Sequence, residues 1–485
     1  MINGKRLLGI PAATSVAVIG KAEAQNPVTD WNDTAITTVL AANQVTFTRL
    51  NQPKMRTMSR KRLWKPLCAL LGLLFVPLTG RSDVVQDWDA IMQATVSSQP
   101  PFPQARFAAI TQLAVFEAVN AITREYEPYL GTITAPHDAS PEAAAAAAAY
   151  GVLSNYFPAS LSTLNAAYAR SLAAIPDGHG KRAGIATGQA AAVAMIAARA
   201  NDGSSPLEFF LPTSSNPGVW QLTPSCPATG GLFFNWQNVT PFGIRSASQF
   251  FLGPPPALTS GRYTRAYDEV KAVGDVNSTE RPPDRTNVAL FYDYDVPVLI
   301  FNDAARQITT AKPRSLSENA RDFALINMAI SDAAVATFYN KYLYTFWRPE
   351  TAIHDAGDDG NDKTTPDANF KPLITTPCFP SYPSAHGTLS NAAREMMEKI
   401  YGEGPFSITL STPALPGVTL HYSRLEEITD DISDARVYGG IHFRTDQDAG
   451  ALLGTRIGDY IYDHKLRPGH SGDCDDRFLR GNEWQ

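Results

Sequence analysis

Cysteine is scarce. Four residues in 485, with no CxxC pair among them, give a structural zinc site nothing to start from. A basic surplus is missing too: 41 Lys and Arg stand against 47 Asp and Glu, for a net charge of −6, so a general nucleic-acid binder is not expected. No apolar run reaches the roughly 18 residues of a membrane-spanning helix, so no stable membrane insertion is expected. The middle of the chain shows no sustained period-2 alternation that would call for a sheet. What is there is ordinary globular composition, 44% hydrophobic and 18% charged, in a chain long enough for two or three domain-sized units. With so little positive charge overall, any anion site has to concentrate its cations locally.

The first 82 residues read as a leader. Lys5 and Arg6 precede an apolar run from Leu7 to Ile19 and a small-x-small phrase, Ala22-Glu23-Ala24. A second such segment begins at Met58, with Arg60, Lys61, Arg62 and Lys65 ahead of Leu67 to Leu78, a run of about twelve residues that suits a cleaved signal better than an anchor. A similar phrase follows each, Val28-Thr29-Asp30-Trp31-Asn32 and Val85-Gln86-Asp87-Trp88-Asp89. Two readings stand side by side: a duplicated or misassigned start, with the precursor beginning at Met55 or Met58, or one long leader. Both imply a secreted or periplasmic protein. Cys68 falls in the leader, and one disulfide among Cys226, Cys378 and Cys474 fits an oxidising compartment, with the pairing open.

Beyond the leader the pattern predicts an all-α protein of two helical bundles. Residues 83–203 form the first. Phe107, Ile110, Leu113, Ala114 and Ala118 recur at helical spacing between Pro103 and Ile122, and Ser140-Pro141-Glu142 is a capped helix start. Further helices are expected near 160–175 and 180–200. Residues 204–262 are rich in Pro, Gly and aromatics and lack periodicity, so they read as a wrapping segment packed over the bundle. Residues 263–485 form the second bundle, with helices near 263–273 and 285–294 and a strong one from about Ser317 to Trp347.

Three short stretches in this second bundle carry the chemistry. On a straight helix Lys341 and Arg348 are separated by about 700° of rotation, so they share a face two turns apart, until Pro349 ends the run. Their apolar and aromatic neighbours make that face a buried one, and buried cations need a partner. Pro383-Ser384-Ala385-His386 opens another helix, with Ser384 as cap and the N–H groups of Ala385 and His386 at the positive end of the dipole. His386 there can act as acid or base. Arg436 and His442 do not share a helical face, so a break is expected at Gly439-Gly440, with His442 on a new helix and Asp446 one turn on to orient its imidazole. Each stretch alone has a bland explanation: a solvated helix face, an ordinary capped helix, a surface His–Asp pair. Together they supply Lys, two Arg, a helix start and two histidines, a set for a tetrahedral or trigonal-bipyramidal oxyanion.

The pattern Lys341-x6-Arg348-Pro349, Pro383-Ser384-Ala385-His386, Arg436-x5-His442-x3-Asp446 resembles the one shared by type 2 phosphatidic acid phosphatases and vanadium-dependent haloperoxidases. From about Val85 onward the chain is similar to the bacterial, soluble haloperoxidase branch, also in Val239-Thr-Pro-Phe, Ser248-Gln-Phe, Pro254-Pro-Pro-Ala-Leu and Phe379-Pro-Ser-Tyr-Pro-Ser-Ala-His. Ala385 replaces the usual glycine and Ala435 the usual serine. An alanine keeps its backbone N–H; the lost serine hydroxyl removes one supporting hydrogen bond.

The resemblance implies vanadate as cofactor, with phosphate able to occupy the same site. His442 would bind it apically. Lys341, Arg348, Arg436, Ser384 and the Ala385 N–H would hold its oxygens. His386 would manage protons as hydrogen peroxide enters, Lys341 would polarise the peroxide, and halide would attack to give a hypohalous species for a small organic substrate. Trp347 and Phe379 would line the pocket. With phosphate instead, the site implies an acid phosphatase, His442 being nucleophile and His386 the proton donor to the leaving group. A catalytically silent oxyanion-binding relative is a third reading. Other signals carry less. The run from His354 to Asp362 misses the calcium-loop template at Gly357 and Pro366. His421, His464 and His470 lack partners at useful spacing, and Asp332, nine residues before Lys341, is poorly placed as its counter-ion.

Overall fold

The computed structural model describes residues 83–469. The leader and His470 lie outside them, as does Cys474. Helix α1 (Val84–Val96) begins where the Asp83 carboxylate accepts the N–H groups of Val85 and Gln86. Helix α2 (Pro101–Thr123) follows Pro100 and ends at Arg124 in the left-handed region. It is long and apolar enough by composition to cross a membrane, yet 89% of that window is buried inside the protein, as befits a core helix. Helix α3 (Pro141–Tyr156) starts as expected, with the Ser140 hydroxyl accepting from Ala143 N–H. Its alanines, Ala143 to Ala149, are all buried. They bring α5 (His179–Ala198), which follows α4 (Leu161–Ala173), very close: a Cβ on Gly188 would lie 2.2 Å from the Ala144 carbonyl oxygen. Helices α3 and α5 stack on each other and on α2, and α4 packs on α3.

Residues 204–260 are largely irregular, with one 3-10 turn at Phe234–Asn238. The second group follows: α6 (Gly261–Gly274), α7 (Pro283–Tyr294), α8 (Pro297–Ala311), α9 (Leu316–Tyr344), α10 (Pro349–His354), α11 (Ala385–Tyr401), α12 (Leu425–Tyr438) and α13 (Arg444–His464). Between α11 and α12 a small antiparallel hairpin pairs β1 (Ile408–Ser411) with β2 (Thr419–Tyr422), Ile408 opposite Tyr422. The hairpin is peripheral. The protein is all-α.

Helix α9 is the spine. A complete capping box of Ser315 and Glu318 starts it, and it is buried along nearly all its length, against α2 on one side and α11 and α13 on the other. Asp332 on this helix accepts the N–H groups of Phe242, Gly243 and Ile244, at 2.6, 2.6 and 2.8 Å, and so fastens the wrapping segment to the spine. It is no partner of Lys341.

Three expectations change. Helix α9 stops at Tyr344 instead of running to Trp347, because Thr345 turns left-handed (φ 46°) and the wrapping segment pairs with the next residues: Trp220 N–H donates to Thr345 O and Trp347 N–H to Gly218 O. Lys341 and Arg348 therefore sit on different elements. His442 precedes α13 rather than lying on it, since Phe443 is that helix's N-cap. Helices α1, α8 and most of α12 were not anticipated, although their buried apolar residues recur at helical spacing: Val85, Trp88, Met92 and Val96 in α1, Phe301, Ala304, Ala305 and Ile308 in α8, and Leu425, Ile428, Ile432 and Ala435 in α12.

Candidate active site

The three stretches converge, although not by the helix geometry first assigned to them. Lys341 sits in the last turn of α9, and its buried Nζ donates to the carbonyls of Pro380 and Ser381 at 2.7 and 2.8 Å. Arg348 is the N-cap of α10 and fully buried. Its Nε donates to Phe379 O (2.8 Å), and Nη1 reaches Ile441 O (2.9 Å) and His442 Nε2 (3.0 Å). The Phe379 ring lies 5.2 Å from Lys341 Nζ and 5.1 Å from Arg348 Cζ, near enough for a cation–π contact with both.

Ser384 caps α11, its Oγ accepting from Gly387 N–H at 3.1 Å, which leaves the hydroxyl hydrogen available to donate. Ser384 N–H donates to Asp446 O, tying the second stretch to the third. Ala385 and His386 are the first two residues of the helix. Arg436 closes α12, with Nη1 on Tyr292 O (3.0 Å) and Asp293 at 3.9 Å. The break falls at Gly439-Gly440 as expected, with Gly440 at φ 80°. His442 Nδ1 then meets Asp446 Oδ2 at 2.9 Å.

These contacts fix the imidazole. An Arg348 N–H can donate only to a lone pair, so Nε2 is bare and Nδ1 carries the hydrogen, donated to Asp446. Burial holds Lys341 well below the ordinary ammonium value, and the neighbouring Arg348 charge adds to this. His386 and His442 are likewise held well below the usual imidazole range, by burial and then by Arg436 and Arg348 respectively. Burial raises Asp446 to about 6.

Charge does not balance here. Three buried basic side chains gather around one fully buried carboxylate, and Arg348 Nη2, Arg436 Nε and His386 Nε2 have no hydrogen-bond partner among the described residues. Buried cations with unused donors call for an anion with several acceptor oxygens. The donor set fits a tetrahedral oxyanion such as vanadate or phosphate.

Comparison with known proteins points the same way. Residues 321–469 match the family model described as the VCPO second helical-bundle domain, a span that contains all three stretches. The vanadium chloroperoxidase of Curvularia inaequalis is 31% identical over 183 residues. Over its C-terminal bundle the chain is similar to the vanadium chloroperoxidases. The alignment covers 32% of the chain and 30% of the Curvularia protein, so the chain spans less than a third of that relative's length. In fold it is similar to the crystal structure of the first bacterial vanadium-dependent iodoperoxidase, with a TM-score of 0.66, 21% identity and coverage of 80% of this chain and 97% of that one. An apo-type bacterial vanadium-dependent chloroperoxidase gives 0.63 and 16%, covering 76% and 94%.

Within this haloperoxidase-like site Trp347 is as buried as the cations, at 1% exposed, and stacks on Tyr263. Phe379 stays at the cations. Ala435 is buried in α12 and has no hydroxyl to offer. The Asp359 carboxylate of the discounted acidic run accepts from Asn361 N–H and Thr364 Oγ1 within its own loop. One participant was not read from sequence: Ser381, whose hydroxyl lies 2.6 Å from Asp446 Oδ2 and 3.3 Å from His442 Nδ1. Its only signal was its place in the Phe379 to His386 stretch.

Proposed function

We propose that the protein is a vanadate-dependent haloperoxidase, oxidising halide with hydrogen peroxide to a hypohalous species that halogenates a small organic molecule. The observation that carries this is the surplus of buried cations around a bare imidazole nitrogen, His442 Nε2, in a bundle similar to those of vanadium haloperoxidases. When bound, vanadate supplies a Lewis acid that activates peroxide toward halide without changing oxidation state. His442 Nε2 would hold it. Arg348 Nη2, Arg436 Nε, Lys341, the Ser384 hydroxyl and the Ala385 N–H would hold its oxygens. His386, neutral and with Nε2 unpaired, can take a proton from an incoming peroxide and return one to the departing water. Lys341 can polarise that peroxide, with the Phe379 ring lying against both it and Arg348.

The same bare Nε2 would serve as nucleophile toward a phosphomonoester, with His386 protonating the leaving group, which makes an acid phosphatase the second reading. A disulfide in the body of the chain supports export to an oxidising compartment. The test is reconstitution of the purified protein with orthovanadate, followed by assays of peroxide-dependent halogenation with chloride, bromide and iodide beside phosphomonoester hydrolysis. Halogenation in at least one halide, lowered about 10²-fold or more in His442→Ala, is expected. Phosphatase activity inhibited by vanadate, with no halogenation, would replace the first reading by the second. A His442→Ala variant with full activity in both assays would remove the site assignment.

A further inference from the structure

We propose that Ser381 is a positioning residue: its hydroxyl holds the Asp446 carboxylate against Nδ1 of His442 and thereby keeps Nε2 unprotonated, with a lone pair that the oxyanion can take. The proposal rests on the reading of the site as an oxyanion centre. Ser381 is fully buried, and its backbone is already committed, the N–H to Phe346 O at 2.8 Å and the carbonyl to Lys341 Nζ at 2.8 Å. Only the hydroxyl has a choice. It lies 2.6 Å from Asp446 Oδ2 and 3.3 Å from His442 Nδ1, and it has one hydrogen to give.

Arg348 decides that choice. Its Nη1 donor, 3.0 Å from His442 Nε2, demands a lone pair there, so Nδ1 bears the hydrogen and cannot accept one from Ser381. The hydroxyl therefore donates to Asp446. Oδ2 then collects three donors, Ser381 Oγ–H, His442 Nδ1–H and Phe443 N–H at 3.2 Å, while Oδ1 has none among the described residues. Three donors on one oxygen stop the carboxylate from rotating. Without the hydroxyl, Asp446 is free to turn its other oxygen inward, the Nδ1 bond loosens, and the opposite tautomer, which sets an N–H against Arg348, becomes accessible. That tautomer has no lone pair for a ligand at Nε2. Groups that orient a ligating histidine in this way are generally worth about 10–100-fold in affinity.

The test uses the full chain labelled with 15N-histidine and read by NMR without added oxyanion. His442 should show a protonated Nδ1 and a bare Nε2; Nε2 protonated in the wild-type protein would overturn the proposal outright. Ser381→Ala, which keeps both backbone bonds, should give averaged ring signals, whereas Ser381→Thr, which keeps the hydroxyl, should give those of wild type. Ring signals unchanged in Ser381→Ala, or equally averaged in Ser381→Thr, would also overturn it. Calorimetric titration with orthovanadate should show about 10–100-fold weaker binding in Ser381→Ala with little change in melting temperature; a lower melting temperature with wild-type ring signals and affinity means a purely structural serine and overturns the proposal. Should the wild-type protein bind no vanadate while Ser381→Ala still averages the ring signals, the oxyanion reading fails and the positioning role of Ser381 stands.

Discussion

Lys341 carries a primary ammonium into a fully buried position where, among the described residues, two carbonyl oxygens and no carboxylate accept its hydrogens. Burial first, and then the Arg348 charge, favours its neutral form, and His386 is held neutral by the same two kinds of effect. An oxyanion entering this cluster reverses the second effect: negative charge favours the protonated ammonium and raises its pKa. Binding should therefore take up protons. It follows that vanadate affinity rises as pH falls and declines as pH rises through the depressed Lys341 value of the free protein, because each increment then removes a proton that the complex needs. Calorimetry in buffers of differing ionisation enthalpy should report net proton uptake, and Lys341→Met should lose part of it while weakening binding. Proton release on binding would contradict the placement of Lys341 at the anion.

At the scale of elements, the site depends on how closely α11 and α13 approach. A Cβ on Gly450 would stand 2.8 Å from the Ser384 carbonyl oxygen and 3.0 Å from Thr388 N, backbone atoms that cannot step aside without moving the start of α11. Gly450→Ala should therefore cost about 1–3 kcal/mol in denaturant unfolding. It should also weaken vanadate binding, since the displaced atoms belong to the residue that faces the oxyanion; unaltered affinity would mean that Ser384 is not part of the site. Much of this layer was legible in the sequence because its signals are local: the Ser140 cap, the Ser384 helix start, the break at Gly439-Gly440. What escaped was set from afar. A spacing of seven between Lys341 and Arg348 invites a straight helix, yet Gly218 and Trp220, more than a hundred residues upstream, bond to the chain at Thr345 and Trp347 and end it. Ser381 escaped for the same reason, its role existing only once Asp446 and His442 lie beside it.

For the whole molecule, the wrapping segment does more than cover the bundle. It is fixed to the spine at Asp332, to the Thr345–Trp347 corner by Gly218 and Trp220, and to the residue before Phe379 twice, through the Leu232 N–H on Cys378 O and the Cys226–Cys378 disulfide. No spacing rule could have paired those cysteines, since pairing needs the Cα atoms within reach, here 5.1 Å, across 152 residues of sequence. The disulfide closes that long loop in the unfolded chain, so its loss should cost about 2–4 kcal/mol. It also anchors the backbone whose next carbonyl, that of Phe379, receives Arg348 Nε. The double variant Cys226→Ser, Cys378→Ser should thus unfold at lower denaturant than wild type and bind vanadate more weakly. Wild-type protein treated with dithiothreitol should fall to the variant's midpoint, and the variant should ignore the reductant. A variant that loses stability but keeps wild-type affinity would show that Asp332 and the backbone pairs alone hold Phe379 and Arg348 in place, and that the disulfide serves the fold without serving the site.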